Sequence, residues 1–297
     1  MMLAAIDLGT NSARLLIAKV EDKQVQDVHR HRIVTRMGAG INEQGLIGPE
    51  ALGRTAAALE EFHRLILSKK VADVAVMGTS AARRAGNREE LAKLVTDLFG
   101  KDLRILTGRE EAQLSYAGAV SALAELPPET LPAVVDIGGG SVEVCIKVKG
   151  QIQALSVEMG AVRCTENPIP DEIMRKLLLP VEQMLEQVQP VVPVGVGGTV
   201  TTLAAMDQKL AVYDSRRIHG YRLYRLKVDE MLQLLQSLPL AQRKELPGLE
   251  PARADIIVAG TRILLMMMEV LKADYLTVSE ADLLHGAIME LDQGLWL

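Results

Sequence analysis

The chain has 297 residues, enough for two domains of ordinary size, and its hydrophobic content of 48% supports well-filled cores. A net charge of −5 argues against non-specific nucleic-acid binding over the whole surface. No apolar run reaches the roughly 18–20 residues that a membrane helix requires. We therefore expect neither a nucleic acid nor a membrane as a partner.

The N-terminus and the cysteines indicate a compartment. Asp7 interrupts the first apolar run, so the layout of a signal peptide is not present. The two cysteines, Cys145 and Cys164, do not have metal-ligand spacing. Reduced thiols and a cytoplasmic location are the expectation.

The first predicted element is a hairpin over residues 5–20, which read AIDLGTNSARLLIAKV. Apolar runs on both sides of a glycine-containing turn are typical of two paired strands. Glycine lets the turn bend sharply and leaves its N–H groups unobstructed. A row of such amides binds anions, most often phosphate. Taken alone, the motif is equally compatible with a purely structural turn.

A strand predicted over residues 71–77 leads to a second kind of anion site. It ends in Gly-Thr-Ser at residues 78–80, and the short helix that follows would present amides and hydroxyls to an anion. A polyanionic ligand also needs a local basic strip. Arg14, Arg83 and Arg84 are the candidates for that strip.

Two helix starts follow in the first half. Asn87 is predicted to cap a helix that ends at Phe99. Thr107 and Glu110 have the spacing of a capping box, which gives Glu110 a structural role. The spacing gives Glu111 no such role, and it lies just after a strand end, where ligands gather in open α/β sheets. From spacing alone, Glu111 either faces a ligand or only favours the helix dipole.

Residues 133–148, which read AVVDIGGGSVEVCIKV, predict a second hairpin of the same design. When Asp136 is aligned with Asp7, glycines and serines coincide without a gap, and Glu143 falls on Arg14. Two such hairpins about half a chain apart predict two related lobes that face each other across a cleft.

The boundary between the lobes is predicted near residue 120, in a helix that ends at about Leu126 before Pro127-Pro128. This division gives a first lobe of residues 1–119 and a second of residues 120–297. It leaves open that the last helix packs back on the first lobe.

The second lobe contains a third glycine-rich turn. A strand over residues 193–196 runs into Gly197-Gly198-Thr199, where a helix begins, and this turn suits phosphate or a nucleotide sugar. Before it, residues 171–189 predict a helix with a kink or break at Pro180. After it come an apolar helix at 253–271, a strand at 275–278 and a last helix at 280–291.

These motifs, in this order, resemble the exopolyphosphatase/guanosine pentaphosphate phosphohydrolase family of the actin-like superfamily. The resemblance spans nearly the whole chain. It implies an α/β fold with two actin-like, ribonuclease-H-like lobes, each a mixed sheet flanked by helices, and an interdomain cleft. The matching segments are residues 6–12, 78–83, 108–112, 136–143, 197–199 and 251–255.

The resemblance also implies an activity, which is hydrolysis of the terminal phosphoanhydride bond of inorganic polyphosphate, of guanosine pentaphosphate, or of both. By motif position, Glu111 and Glu143 match the catalytic carboxylates. Asp136, Glu143 and Asp7 match the ligands of a divalent cation, expected to be Mg²⁺, and a homodimer is a further implication. The implied phosphate-binding residues are Asp7, Gly9, Thr10, Asn11, Ser12, Arg14, Arg83, Gly138, Gly139, Gly140, Ser141, Gly197, Gly198 and Thr199.

Two other functions stay open from the sequence, because the same lobes occur in other proteins. One is an ATP-dependent kinase of small molecules, and the other is a non-catalytic nucleotide-binding protein of the actin-like type. The second leaves the pair Glu111 and Glu143 without a purpose. The sequence also departs from the family in having His285-Gly286 where many relatives have Glu-Gly.

Overall fold

The computed structural model describes residues 1–22, 24–41, 45–123, 131–188 and 190–296. The chain forms two compact units, one comprising Met1–Ala122 and Leu283–Leu297, the other Leu123–Asp282. This grouping of Leu283–Leu297 differs from the division into residues 1–119 and 120–297, which counts that segment with the second lobe. The predicted helix end at Leu126 and the break at Pro127-Pro128 lie outside the described residues.

The first unit begins with three consecutive strands, and helices and strands follow them. Among its described residues the strands form one mixed sheet in the order β3-β2-β1-β4-β5. In chain order its elements are β1 (Met2–Leu8), β2 (Ala13–Glu21), β3 (Gln24–Ile33), α1 (Pro49–Ser68), β4 (Asp73–Gly78), α2 (Ser80–Arg84), α3 (Arg88–Phe99), β5 (Arg104–Ile105) and α4 (Gly108–Ala122).

The second unit also contains one mixed sheet among its described residues, in the order β10-β11-β9-β6-β7-β8. Its elements are β6 (Leu131–Ile137), β7 (Val142–Val148), β8 (Gln151–Val157), α5 (Ala161–Glu166), α6 (Asp171–Glu186), β9 (Val191–Val196), α7 (Gly197–Asp207), α8 (Ser215–Ile218), β10 (Arg222–Tyr224), α9 (Arg225–Ser237), α10 (Leu240–Arg243), a 3₁₀ turn (Pro251–Arg253), α11 (Ile257–Val270) and β11 (Tyr275–Val278). The last helix, α12 (Leu283–Asp292), belongs to the first unit.

The two sheets share one topology. Reading the second sheet from its other edge, β8-β7-β6-β9-β11 repeats the order β3-β2-β1-β4-β5, and β10 is an additional edge strand. Both predicted hairpins are antiparallel pairs, and Asp7 faces Arg14 in the first as Asp136 faces Glu143 in the second. The predicted duplication and the two-sheet α/β fold are therefore confirmed.

The central strand of the first sheet explains why its sequence is apolar throughout. Successive side chains of a strand point to opposite faces. Ala4, Ile6 and Leu8 accordingly join a buried cluster with residues of α1 and α3. Leu3 and Ala5 join another cluster, with residues of α4 and α12. Both faces of β1 are covered, so the strand has no polar alternation.

One local prediction was wrong, and another was confirmed in part. The Asn87 side chain does not cap α3; its amide instead accepts from the Ile47 N–H at 2.9 Å and donates to the Ile47 carbonyl at 3.0 Å. The predicted helix around Pro180 is present as α6, and it is not broken at Pro180. Its predicted end, Gln189, lies outside the described residues. No helix within the described ranges is both long enough and apolar enough to cross a bilayer.

Helix α12 is joined to β3 through His285. The His285 Nε2 atom lies 3.0 Å from Asp27 Oδ1 and 3.3 Å from Arg30 Nη2. Burial raises the pKa of the Asp27 carboxyl, but the hydrogen bond and charge of His285, together with Arg30, outweigh it and hold the pKa below its usual value. The departure from Glu-Gly thus has a local role, because a glutamate here would face Asp27 with a like charge.

Gly286, the next residue, allows α12 to approach α4 closely. A Cβ atom at this position would overlap the backbone carbonyl of Leu114. Leu114 lies one turn after Glu111 on α4, so the contact also fixes the helix that carries this carboxylate.

We predict that Gly286→Ala lowers the urea midpoint of unfolding, because the added methyl group must displace backbone atoms of α4. The expected cost is about 1–3 kcal/mol. Gly53→Ala is the matched control, since Gly53 is an exposed residue within α1 and has open space where a Cβ would lie. It should stabilise the protein by about 0.5–1 kcal/mol through helix propensity. Equal midpoints for the two variants would contradict the proposed close contact.

Candidate active site

The first glycine loop is held by its carbonyl groups. The Gly9 N–H donates to the Ser12 carbonyl at 3.1 Å and closes the turn. The Thr10 carbonyl accepts from the Gly38 N–H at 2.9 Å, and the Asn11 carbonyl accepts from the backbone N–H of residue 36 at 2.8 Å. Among the described residues, the N–H groups of Thr10 and Asn11 have no acceptor. The loop therefore offers amide donors to a ligand.

The second glycine loop has the same construction. The Gly138 N–H donates to the carbonyl of residue 141 at 3.0 Å. The first turn of α5 donates backbone N–H groups to the carbonyls of Gly138 and Gly139, and Arg163 Nε donates to the Gly140 carbonyl at 2.7 Å. In the described part of the chain, the N–H groups of Gly139 and Gly140 have no acceptor. These amides are suited to an anion.

Each loop rests on a supporting glycine that the sequence analysis missed. A Cβ atom at Gly160 would overlap the backbone of Gly139 and Gly140, and one at Gly38 would overlap the Thr10 side chain. Both glycines follow a fully buried methionine and precede an alanine. This repeated Met-Gly-Ala, at residues 37–39 and 159–161, is the signal that could have revealed them.

The two hairpins differ in charge at equivalent positions. In the first, Arg14 Nη2 lies 2.8 Å from the buried Asp7 carboxylate, so this pair is an ion pair. In the second, the buried Asp136 and Glu143 are direct cross-strand neighbours. Two carboxylates placed directly opposite each other destabilise a sheet when both are charged. Ser156 Oγ donates to Glu143 Oε1 at 2.7 Å and orients that carboxylate.

The predicted turn at residues 197–199 lies against Asp136. Gly197 has a φ of 86° and begins α7, and a Cβ atom there would lie 2.5 Å from Asp136 Oδ1. Only glycine satisfies both the backbone conformation and this contact. The Asp136 carboxylate is thus placed at the start of a helix, where its negative charge is favoured.

Arg253 is a further charged residue at this turn that the sequence analysis did not assign to the site. Its guanidinium packs directly on Gly198, because a Cβ atom there would overlap it, and Nη1 lies 3.4 Å from Thr202 Oγ1. The prediction placed Arg253 at the start of a helix, but α11 begins at Ile257 and Arg253 ends a separate 3₁₀ turn. Its presence in the matching segment 251–255 was the available signal.

The capping box at the start of α4 is confirmed. The Thr107 N–H donates to Glu110 Oε2 at 2.8 Å, and the Glu110 N–H donates to Thr107 Oγ1 at 3.2 Å. Glu111 is only 7% exposed, and its Oε2 lies 2.5 Å from Arg83 Nη1. Arg83 also donates to the Leu106 carbonyl at 2.9 Å. Glu110 therefore fixes the helix start, and Arg83 fixes the direction of the Glu111 carboxylate.

Within each unit, the predicted motifs meet at one edge of the sheet. In the first, Leu8 and Gly78 are neighbours on parallel strands, and the Leu106 N–H donates to the Gly78 carbonyl at 3.0 Å. The first glycine loop, the turn at residues 78–80 and the start of α4 therefore adjoin. In the second, parallel β6 and β9 bring Gly138 and Gly197 to the same edge.

Three observations bear on ligand binding at these edges. Arg14 and Arg83, the predicted phosphate contacts, each bind a carboxylate, yet a guanidinium has five donors and can also hold a phosphate. Ser80 Oγ is buried and has no hydrogen-bond partner in the parts of the chain that the structure describes. Across the same residues, no cluster of three or more His, Cys, Asp or Glu groups forms a ready metal site.

Comparison with known proteins places this arrangement in a family. The model of the Ppx/GppA phosphatase family matches residues 16–293. The chain belongs to this family. Exopolyphosphatase 2 of Mycobacterium tuberculosis is 35% identical over 314 aligned positions, which cover 97% of this chain and 98% of the relative.

Solved structures of the Ppx/GppA type share the fold over the full chain. The Aquifex aeolicus family member has a TM-score of 0.79 and 29% identity, with 99% of this chain and 98% of that chain covered. An exopolyphosphatase-like protein has a TM-score of 0.87 and 30% identity, with coverage of 100% and 99%. Membership in a phosphatase family favours hydrolysis over the kinase and the non-catalytic alternatives.

The loop supports generate a prediction about activity. Gly160→Ala should lower kcat/KM for phosphate release by about 10²-fold, because its methyl group would displace the loop backbone by a large fraction of an ångström. Gly38→Ala should lose less activity, since its main contact is a Thr10 methyl group that can rotate away. The control is Gly48→Ala, whose added methyl group meets no atom. Steady-state phosphate release from polyphosphate measures all three, and a Gly160→Ala variant as active as Gly48→Ala would contradict the supporting role.

Proposed function

We propose that this protein hydrolyses the terminal phosphoanhydride bond of inorganic polyphosphate, of guanosine pentaphosphate or of both, and releases orthophosphate. The observation that carries the proposal is the burial and the fixed position of the Glu111 carboxylate. It is buried and held by Arg83, while its neighbour Glu110 alone serves the helix cap. A carboxylate fixed in this way, beside a loop of amide donors, suits a general base for water.

Phosphoryl transfer asks mainly for positioning and charge stabilisation. The negative charge lies on the three equatorial oxygens of the transferred group, and the attacking and leaving oxygens lie roughly in line. In the proposal, the loop amides of residues 9–12 and 138–141 bind phosphate oxygens, and so does the turn at residues 197–199. Arg14, Arg83 and Arg253 supply positive charge. The proposal assigns each of these groups to phosphate binding.

Glu111 orients the attacking water and accepts its proton as the new P–O bond forms. The bond to the bridging oxygen breaks, and its electron pair stays with the shortened phosphate chain. Arg83 holds the carboxylate in position throughout. No oxidant, reductant or acceptor other than water is needed.

A divalent cation, Mg²⁺, belongs to the proposal. The pair Asp136 and Glu143 fits it, because two buried carboxyl groups that face each other on neighbouring strands present hard oxygen donors on the same face of the sheet. Mg²⁺ is commonly held by one or two carboxylates together with waters and substrate phosphates. When bound, it would neutralise charge on phosphate oxygens. Asp7, the third predicted ligand, belongs to the other unit and forms an ion pair with Arg14, and it stays a prediction from the family resemblance.

The proposal also includes a cytoplasmic location. Cys145 and Cys164 are buried thiols that are not joined in a disulfide, which agrees with the proposed cytoplasmic location. The homodimer remains a prediction from the family resemblance.

We predict that Glu111→Gln lowers kcat by about 10²–10⁴-fold, because the amide cannot accept the proton of water. Substrate binding and the urea midpoint should stay close to those of the wild type. The measurement is phosphate release from short polyphosphate and from guanosine pentaphosphate with Mg²⁺ present.

Glu110→Gln is the matched control, since glutamine also serves at the third position of a capping box. It should keep most of the turnover. Wild-type turnover in Glu111→Gln would remove Glu111 from the role, and equal losses in both variants would show that the substitutions act through the helix start.

The cation pair gives a second prediction. Glu143→Gln should abolish most activity at low Mg²⁺, and Ser156→Ala should raise the Mg²⁺ concentration for half-maximal rate by about 10–100-fold, because Ser156 orients the Glu143 carboxylate. Ser237→Ala is the control, since that hydroxyl binds only a helix carbonyl. An unchanged Mg²⁺ requirement in both Glu143→Gln and Ser156→Ala would contradict the proposed ligand.

A further inference from the structure

Tyr213 lies at the carboxyl edge of the second sheet. Its hydroxyl donates to Glu280, two residues beyond the end of β11. The Ser279 N–H donates to the Gly195 carbonyl at 2.9 Å, so this end of β11 adjoins the end of β9. Strand β9 leads directly into the turn at residues 197–199. Tyr213 therefore lies near the proposed phosphate-binding turn of the same unit.

The hydroxyl end of Tyr213 is held firmly. Burial raises the pKa of the Tyr213 phenol, and the charge and hydrogen bond of Glu280 raise it further, so the group stays a donor. Thr201 and the positive charge of Arg253 act in the opposite direction and lower this pKa by smaller amounts. Glu280 is itself fixed, because its backbone N–H donates to His219 Nδ1 at 3.2 Å.

The residue as a whole nevertheless keeps about half of its surface exposed. Tyr213 is 52% exposed, and the preceding Val212 is 81% exposed. Two large apolar side chains thus lie uncovered beside a site that otherwise contains amides and charges. Inorganic polyphosphate has no apolar surface to contact them. A nucleobase does, and a fixed aromatic face is the usual platform on which a base stacks.

We propose that Tyr213 and Val212 form a nucleoside subsite beside the turn at residues 197–199, which binds the base or ribose of guanosine pentaphosphate. This inference rests on the proposed function, since it requires that phosphates bind at that turn. It predicts that removal of the Tyr213 side chain changes KM for guanosine pentaphosphate but not KM for inorganic polyphosphate. Stacking on an aromatic ring contributes enough affinity to change KM by about 5- to 150-fold.

The experiment compares phosphate release from guanosine pentaphosphate and from inorganic tetrapolyphosphate, with Mg²⁺, in the wild type and in variants. Tyr213→Ala should raise KM for guanosine pentaphosphate by about 5- to 150-fold and leave KM for tetrapolyphosphate unchanged. Tyr213→Phe should leave KM for tetrapolyphosphate unchanged and raise KM for guanosine pentaphosphate less than Tyr213→Ala does, because it keeps the ring and loses the bond to Glu280 that holds it.

Tyr224→Ala is the matched control. Tyr224 has a similar exposure of 47% and lies in the same unit, but it pairs with Tyr275 at the opposite end of β11. It should leave KM for both substrates unchanged. Thermal unfolding midpoints show that each variant is folded.

Three outcomes would overturn the subsite. They are an equal change of KM for both substrates in Tyr213→Ala, no change for either, and a wild type that hydrolyses only the inorganic substrate. Should the wild type release phosphate from neither, the proposed function fails. In that case, titration calorimetry with guanosine pentaphosphate tests the subsite. Tyr213→Ala should bind the nucleotide more weakly than the wild type, and equal Kd values for the two proteins would reject the subsite.

Discussion

The structure depends on how the carbonyl groups of its two glycine loops are held. A tight turn has donors and acceptors, and it binds an anion only if its acceptors are occupied elsewhere. Backbone N–H groups that follow the third strand of each sheet take up those carbonyls, at Gly38 in one unit and at residues 161–163 in the other. Among the described residues, the amides at the tip of each loop are thereby left without an acceptor, and in our proposal they bind phosphate. The supporting glycines are needed because any side chain there would separate loop and support.

Duplication supplied two copies of this loop, and one changed position separated their roles. Asp7 is paired with an arginine, Arg14, in the first hairpin, whereas Asp136 is paired with a glutamate, Glu143, in the second. The first pair is an ion pair, whereas the second places two buried carboxyl groups opposite each other. The same strand register therefore gives the two hairpins different side-chain chemistry beside similar loops of backbone amides.

The two adjacent glutamates at the start of α4 have different contacts and different roles. Glu110 completes the capping box and also pairs with Arg104, while Glu111 points elsewhere and is held by Arg83. Rotation of about 100° per residue along a helix lets neighbouring carboxylates serve different surroundings. Gly286 on α12 then permits close packing against the same helix, so the position of Glu111 depends on contacts from three parts of the chain.

The sequence by itself determined the two hairpins, the capping box and the glycine turns, because each depends on residues within a few positions of one another. Only the tertiary structure showed that Arg83 holds Glu111, that Arg253 packs on Gly198 and that His285 pairs with Asp27. It also overruled the predicted cap at Asn87, whose side chain binds Ile47, 40 positions away. Such contacts join segments far apart in the chain, and local spacing contains no information about which distant group will be the partner.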